Sequence, residues 1–99
     1  MYVIADVCII PLESGTSLSP YVAEFEKIFQ AAGLNPRLHG YGTNVEGEWD
    51  AVMAAVKRCH EKAHAMGTVR ITSNLRLGTR TDRSQTVADK IASVEAKLK

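Results

Sequence analysis

The sequence predicts an α+β fold, with helices packed on one face of an antiparallel sheet, and three observations carry the prediction. Residues 2–12, YVIADVCIIPL, are apolar and largely β-branched with one charge, Asp6, as in a central strand covered on both faces. Residues 69–79, VRITSNLRLGT, alternate strictly, the period of a strand with one buried face. Between them, two segments repeat apolar residues at helical spacing.

The elements follow in order. Pro11 cannot donate to a ladder and marks the fraying end of the first strand. Glu13 to Ser17 form a loop. Ser19 is then placed to cap a helix, with Pro20 at its first position, where a missing N–H costs nothing. Val22, Phe25, Ile28, Phe29 and Ala32 form its apolar stripe, and Gly33 stops it. Residues 35–46 are too short for a helix and, with Gly40 and Gly42 near the middle, predict a weak hairpin. A second helix is predicted from about Glu48 to Met66, with Trp49, Val52, Met53, Val56, Cys59, Ala63 and Met66 on one side. Glu46 and Glu48 lie at its N-terminus, where the helix dipole favours negative charge. In the last strand Val69, Ile71, Ser73, Leu75 and Leu77 face one way, and Arg70, Thr72, Asn74 and Arg76 the other. Ser84 or Thr86 is then placed to cap a final helix carrying Val87, Ile91, Val94 and Leu98.

The resulting order, βαββαβ followed by a helix, is that of a ferredoxin-like sheet with an extra C-terminal helix. One face of such a sheet has no helix of the repeat to cover it, and Tyr2, Ile4, Cys8 and Ile10 would lie there beside Asp6. Two arrangements would bury that face. A second copy could cover it, with Asp6 paired to Arg70 or Arg76, or the last helix could fold over it.

Composition narrows the function. The chain has 99 residues, 45% of them hydrophobic and 23% charged, which fits one globular domain spanning residues 1–99. A net charge of +1, from interspersed acids and bases, argues against a polyanion or anionic membrane as partner. The longest apolar run, Val7–Pro11, is far too short to span a bilayer. The first residues lack the pattern of a signal peptide, and Cys8 and Cys59 match no metal or redox spacing, so a cytoplasmic setting is expected.

Residues 60–64, His-Glu-Lys-Ala-His, satisfy the H-E-x-x-H pattern, in which two histidines on one helix face ligate zinc and the glutamate acts as base. The downstream chain supplies no His or Cys as third ligand, and so small a domain offers little cleft, so a zinc hydrolase is disfavoured. RNA-recognition modules share the element order but stack bases on aromatic residues in their central strands. Residues 69–79 contain none. No nucleophile stands at a recognisable spacing from a base, and there is no phosphate-binding glycine loop.

What remains is a polar set in the loops. Gly-Thr occurs at 15–16, 42–43 and 78–79, near Ser17, Tyr41, Asn44, Glu46, Glu48 and Trp49. Hydroxyls, an amide, carboxylates and an aromatic face suit a flat, nitrogen-rich, cationic ligand. Ordinary turn chemistry accounts for the same residues, and Trp49 is equally placed to anchor the second helix in the core.

The segments SGTSLSPYVAEFEKIF, GTNVEGEWDAVMAAVKRCHE and GTRTDR resemble the small YkoF-like thiamine-binding family over essentially the whole chain. The resemblance implies a cytosolic homo-oligomer, often a dimer of dimers, that binds thiamine or its hydroxymethylpyrimidine part without catalysis, cofactor or metal. It places Thr16, Ser17, Thr43, Asn44, Glu46 and Trp49 at the site, with hydroxyls meeting the pyrimidine and Glu46 balancing the thiazolium charge. The alternative is an oligomeric regulatory or interaction protein with no thiamine ligand.

Overall fold

The computed structural model describes all 99 residues. The elements run β1 (Tyr2–Leu12), α1 (Ser19–Ala31), β2 (Arg37–His39), β3 (Gly42–Glu48), α2 (Trp49–Ala65), β4 (Arg70–Gly78) and α3 (Val87–Glu95). The four strands form one antiparallel sheet in the order β2-β3-β1-β4, the ferredoxin-like topology expected from the element order.

Alternation along β1 sets the two faces of the sheet. Val3, Ala5, Val7 and Ile9 are buried under α1 and α2, where they join Phe25, Phe29, Val45, Val52, Val56 and Cys59 in one apolar cluster. Ile71 and Leu75 of β4 pack against its edge. The other face carries Tyr2, Ile4, Asp6, Cys8 and Ile10, opposed in register by Glu46 and Asn44 on β3 and by Arg76, Asn74 and Thr72 on β4.

Several boundaries depart from the sequence reading. Leu18, not Ser19, occupies the cap of α1, because the N–H groups of Tyr21 and Val22 both close on the Leu18 carbonyl. Pro20, without an N–H to place, fits that frame as well. Gly33 ends α1 as expected, with φ of +71°. β3 reaches Glu48, longer than the sequence implied, since the Trp49 N–H extends the ladder by donating to the Met1 carbonyl. Trp49 itself stays 36% exposed at the start of α2, while Ala55 joins the buried stripe in its place.

The last helix covers only one end of the open face. Thr86 and Asp89 form a reciprocal capping box, and Val87 is buried, but Ile91, Val94 and Leu98 stay exposed. Asp6 faces Arg76 in register, yet its carboxylate pairs with His39 instead.

Candidate functional site

Two concave regions lie on opposite faces of the sheet. The first is an apolar groove of about 580 Å³ between α1, the middle of β1 and the β2–β3 hairpin. Its walls include Ile9, Val22, Phe25, Phe29 and Leu38, and Tyr41 stands exposed at the hairpin tip. The groove exists because β3 stops pairing early. The β1–β3 register runs only as far as Val7 opposite Thr43, so no residue of β3 opposes Ile9. Met1 turns its carbonyl toward β3, so the alternate residues Val3 to Ile9 do the same. The Ile9 backbone groups therefore face the groove, and Pro11, further along, has no N–H to leave stranded there.

Glu26 brings a carboxylate into this apolar setting. Thr43 donates its hydroxyl hydrogen bond to Glu26 Oε1 at 3.2 Å, while Oε2 is buried with no partner. Burial pushes the Glu26 carboxyl above its ordinary range, and the Thr43 hydrogen bond only partly opposes that. A buried acceptor left unpaired costs about 1–3 kcal/mol. At the rim, the Tyr41 N–H donates to His39 Nδ1, which leaves His39 Nε2 to donate to Asp6 at 2.7 Å.

The second region is a polar basin of about 790 Å³ on the open face, roofed by the loop after β4 and the start of α3. Glu46 sits beside it and is 4% exposed, but its carboxylate is already engaged. It accepts from the Tyr2 hydroxyl at 2.6 Å, from the Val87 N–H and from the Asn35 amide. Burial and this carboxylate push the Tyr2 phenol up to about 12. The Val87 N–H is one of the unpaired donors at the start of α3, so Glu46 ties the last helix to the sheet.

The residues expected at the site therefore divide. Thr43 lies in the groove, and Thr16 and Ser17 precede Leu18 and Ser19 on its rim. Asn44 and Glu46 point to the other face, and Asn44 lines the basin. Trp49 lines neither region. No ligand within one chain could touch both Thr43 and the inward carboxylate of Glu46. Sequence reasoning missed Glu26, although a signal was present. Positions 22, 25, 26 and 29 share one helix face, so Glu26 is a carboxylate inside an apolar stripe.

The two histidines of the H-E-x-x-H match serve separate partners. His60 Nε2 bonds the Ser73 hydroxyl at 2.6 Å, and His64 Nδ1 bonds the Thr68 carbonyl at 2.7 Å. No three potential ligands gather anywhere in the chain. Cys59 is buried and its thiol pushed up to about 12, and Cys8 is also a free thiol.

Fold and groove together define a ferredoxin-like domain with a concave site of small-molecule size. The chain belongs to the thiamine-binding protein family, whose profile matches residues 5–95. It is 55% identical to a UPF0045 protein of Synechocystis over 98 residues, covering 99% of this chain and 81% of that one. The UPF0045 protein YqgV of Bacillus subtilis is 38% identical, with 96% of each chain covered. Among solved structures, a hypothetical protein of Methanocaldococcus jannaschii superposes with a TM-score of 0.87 at 31% identity, covering 95% of this chain and 96% of that one. A Thermotoga maritima protein, hypothesised to act in thiamine biosynthesis or salvage, shares the fold with a TM-score of 0.80 at 17% identity, covering 95% of this chain and 99% of that one.

Proposed function

We propose that this chain is a non-catalytic, cytoplasmic binding protein for thiamine or its hydroxymethylpyrimidine part, serving to sequester, deliver or sense vitamin B1. The observation that carries the reading is the buried, unpartnered Oε2 of Glu26 on the floor of an apolar groove, in a member of the thiamine-binding family. A flat aminopyrimidine would lie between the aliphatic and phenyl walls and donate from its amine to Glu26. Thr43 holds the other carboxylate oxygen in place, and Tyr41 is positioned to cover the ring. The same carboxylate would balance the positive thiazolium ring. Ser17 precedes Leu18 and Ser19 at the rim, and no cofactor or metal is needed for any of this.

Titration calorimetry with thiamine and with hydroxymethylpyrimidine tests the proposal. Saturable binding of either, weakened at least tenfold by Glu26→Gln, is the expected result. No heat and no thermal stabilisation with either compound would overturn it.

A homo-oligomer, a dimer of dimers by expectation, belongs to the same reading. Cys8, Ile10 and Leu12 form an apolar row on the open face, away from α3. A second copy covering that row would remove it from water, at roughly 25 cal/mol per Å² of apolar surface. A monomeric mass by light scattering at micromolar concentration would exclude this assembly.

A further inference from the structure

The open-face basin carries more positive charge than its surroundings use. Arg76 rises from β4, Arg80 and Arg83 from the loop after it, and Lys90 from α3, so three separate elements deliver four cationic side chains to one concavity. Two carboxylates, Asp6 and Asp82, line it against these four cations. Asp82 pairs with Arg80, which holds the Asp82 carboxyl down at about 2, and Asp6 pairs with His39. No ion pair in the chain involves Arg76, Arg83 or Lys90.

The neutral groups of the basin are also arranged for an acceptor. Arg80 donates to Gln85 Oε1, which leaves the Gln85 amide hydrogens unspent. Arg80 is thereby gripped from two sides, by Asp82 and Gln85, and is held in position before any ligand arrives. Glu46 forms no ion pair with the cluster, and its oxygens accept instead from Tyr2, Asn35 and the start of α3. Four cations against two carboxylates leave the lining net positive, and an anion would offset the repulsion among the cations.

We propose that this basin is a second ligand site, one that binds the phosphate or diphosphate group of a small phosphorylated compound. Arginine predominates among the free cations, and its planar fork matches phosphate oxygens two at a time. The volume of about 790 Å³ exceeds what a bare phosphate needs and leaves room for an organic body. Nucleic acid fits poorly, since the chain has a net charge of +1 and the only aromatic residue in the basin, Tyr2, is committed to Glu46. The groove with Glu26 opens on the other side of the sheet, so one chain has room for both ligands at once.

The test is calorimetric titration of the full chain with inorganic pyrophosphate, at an ionic strength held constant with chloride. Arg76→Gln, Arg83→Gln and, as a control for lost charge elsewhere, Lys57→Gln on the exposed side of α2 would be titrated in parallel. Thermal melts establish that each variant folds. The expected result is saturable binding, weakened at least tenfold by each arginine change and unchanged by Lys57→Gln. Absence of saturable binding would overturn the proposal. So would equal weakening by all three variants, which would mean general charge screening, or tighter binding of an oligoribonucleotide than of pyrophosphate through the same arginines.

Discussion

Thr43 and Glu46, three residues apart on β3, stand on opposite faces of the sheet, one against α1 and the other beneath α3. Each is joined to a distant partner that fixes its role. Thr43 orients the Glu26 carboxylate in the apolar groove, and Glu46 links Tyr2 to the first N–H of the last helix. The strand thus divides one polar stretch of sequence between the apolar groove and a structural tie.

Glu26→Gln should stabilise the free protein while weakening the ligand. Burial raises the folded carboxyl above its unfolded value, so its contribution is favourable below the unfolded value and is lost as pH rises through the folded one. Above the folded value, the cost of burying the charge opposes folding. The amide removes the charge and can still accept from Thr43. A melting temperature above the parent's is expected at neutral pH. The gain should shrink as pH falls through the carboxylate range, and calorimetric melts between pH 4 and pH 7 would reveal it. A variant less stable than the parent at pH 7 would show that the charge is compensated.

Tyr2→Phe should destabilise the fold by about 1–2 kcal/mol, around and below the low end of the range for a hydrogen bond to a charged group, because Tyr2 is partly exposed. The pH dependence has a definite sign. The folded phenol titrates at about 12 against an ordinary 10.0, so its contribution is complete below pH 10 and disappears between pH 10 and 12. The difference in unfolding free energy between parent and Tyr2→Phe should therefore be flat up to about pH 10 and narrow above it. Denaturant melts across that window would measure it.

The fold was legible in the sequence because periodicity alone separates its elements. β1 and β4 have a period of two, α1 and α2 a period of 3.6, and Gly33 and Gly67 end the helices with positive φ. The site was legible only in part. Its loop residues cluster along the sequence, but strand alternation sends Thr43 one way and Asn44 and Glu46 the other. Glu26 lies seventeen residues from its partner and became visible only when β3 was packed against α1. The cations of the basin likewise come from β4, a loop and α3, and no local pattern records their convergence.

Gly42→Ala should cost about 1–3 kcal/mol, the usual range for overpacking a closely fitted contact. A Cβ on Gly42 would stand 2.6 Å from the Val7 carbonyl oxygen, a backbone atom that cannot swing aside. Relief would push the start of β3 away from β1 and displace Thr43, so ligand affinity should fall together with stability. Gly40→Ala, at the hairpin turn with nothing within 4 Å, is the comparison and should change stability by less than about 0.5 kcal/mol. Equal melting temperatures for the two variants would show that the sheet absorbs the added methyl.

Thr86→Ala should loosen α3 without unfolding the domain. The Thr86 hydroxyl accepts from the Asp89 N–H, and Asp89 returns a bond to the Thr86 N–H, so the substitution removes half of a reciprocal cap worth about 1 kcal/mol. Beyond this cap and the Val87–Glu46 hydrogen bonds, the helix has little to hold it, since Ile91, Val94 and Leu98 face water. A nine-residue helix is marginal without tertiary support, so a loss of this size should fray it. The core cluster contains no residue of α3, so the sheet and the two long helices should keep nearly their full stability. Hydrogen exchange would separate the two effects, with protection lost over residues 87–95 and retained in β1. Loss of protection in β1 as well would mean that Glu46 transmits the state of α3 into the sheet.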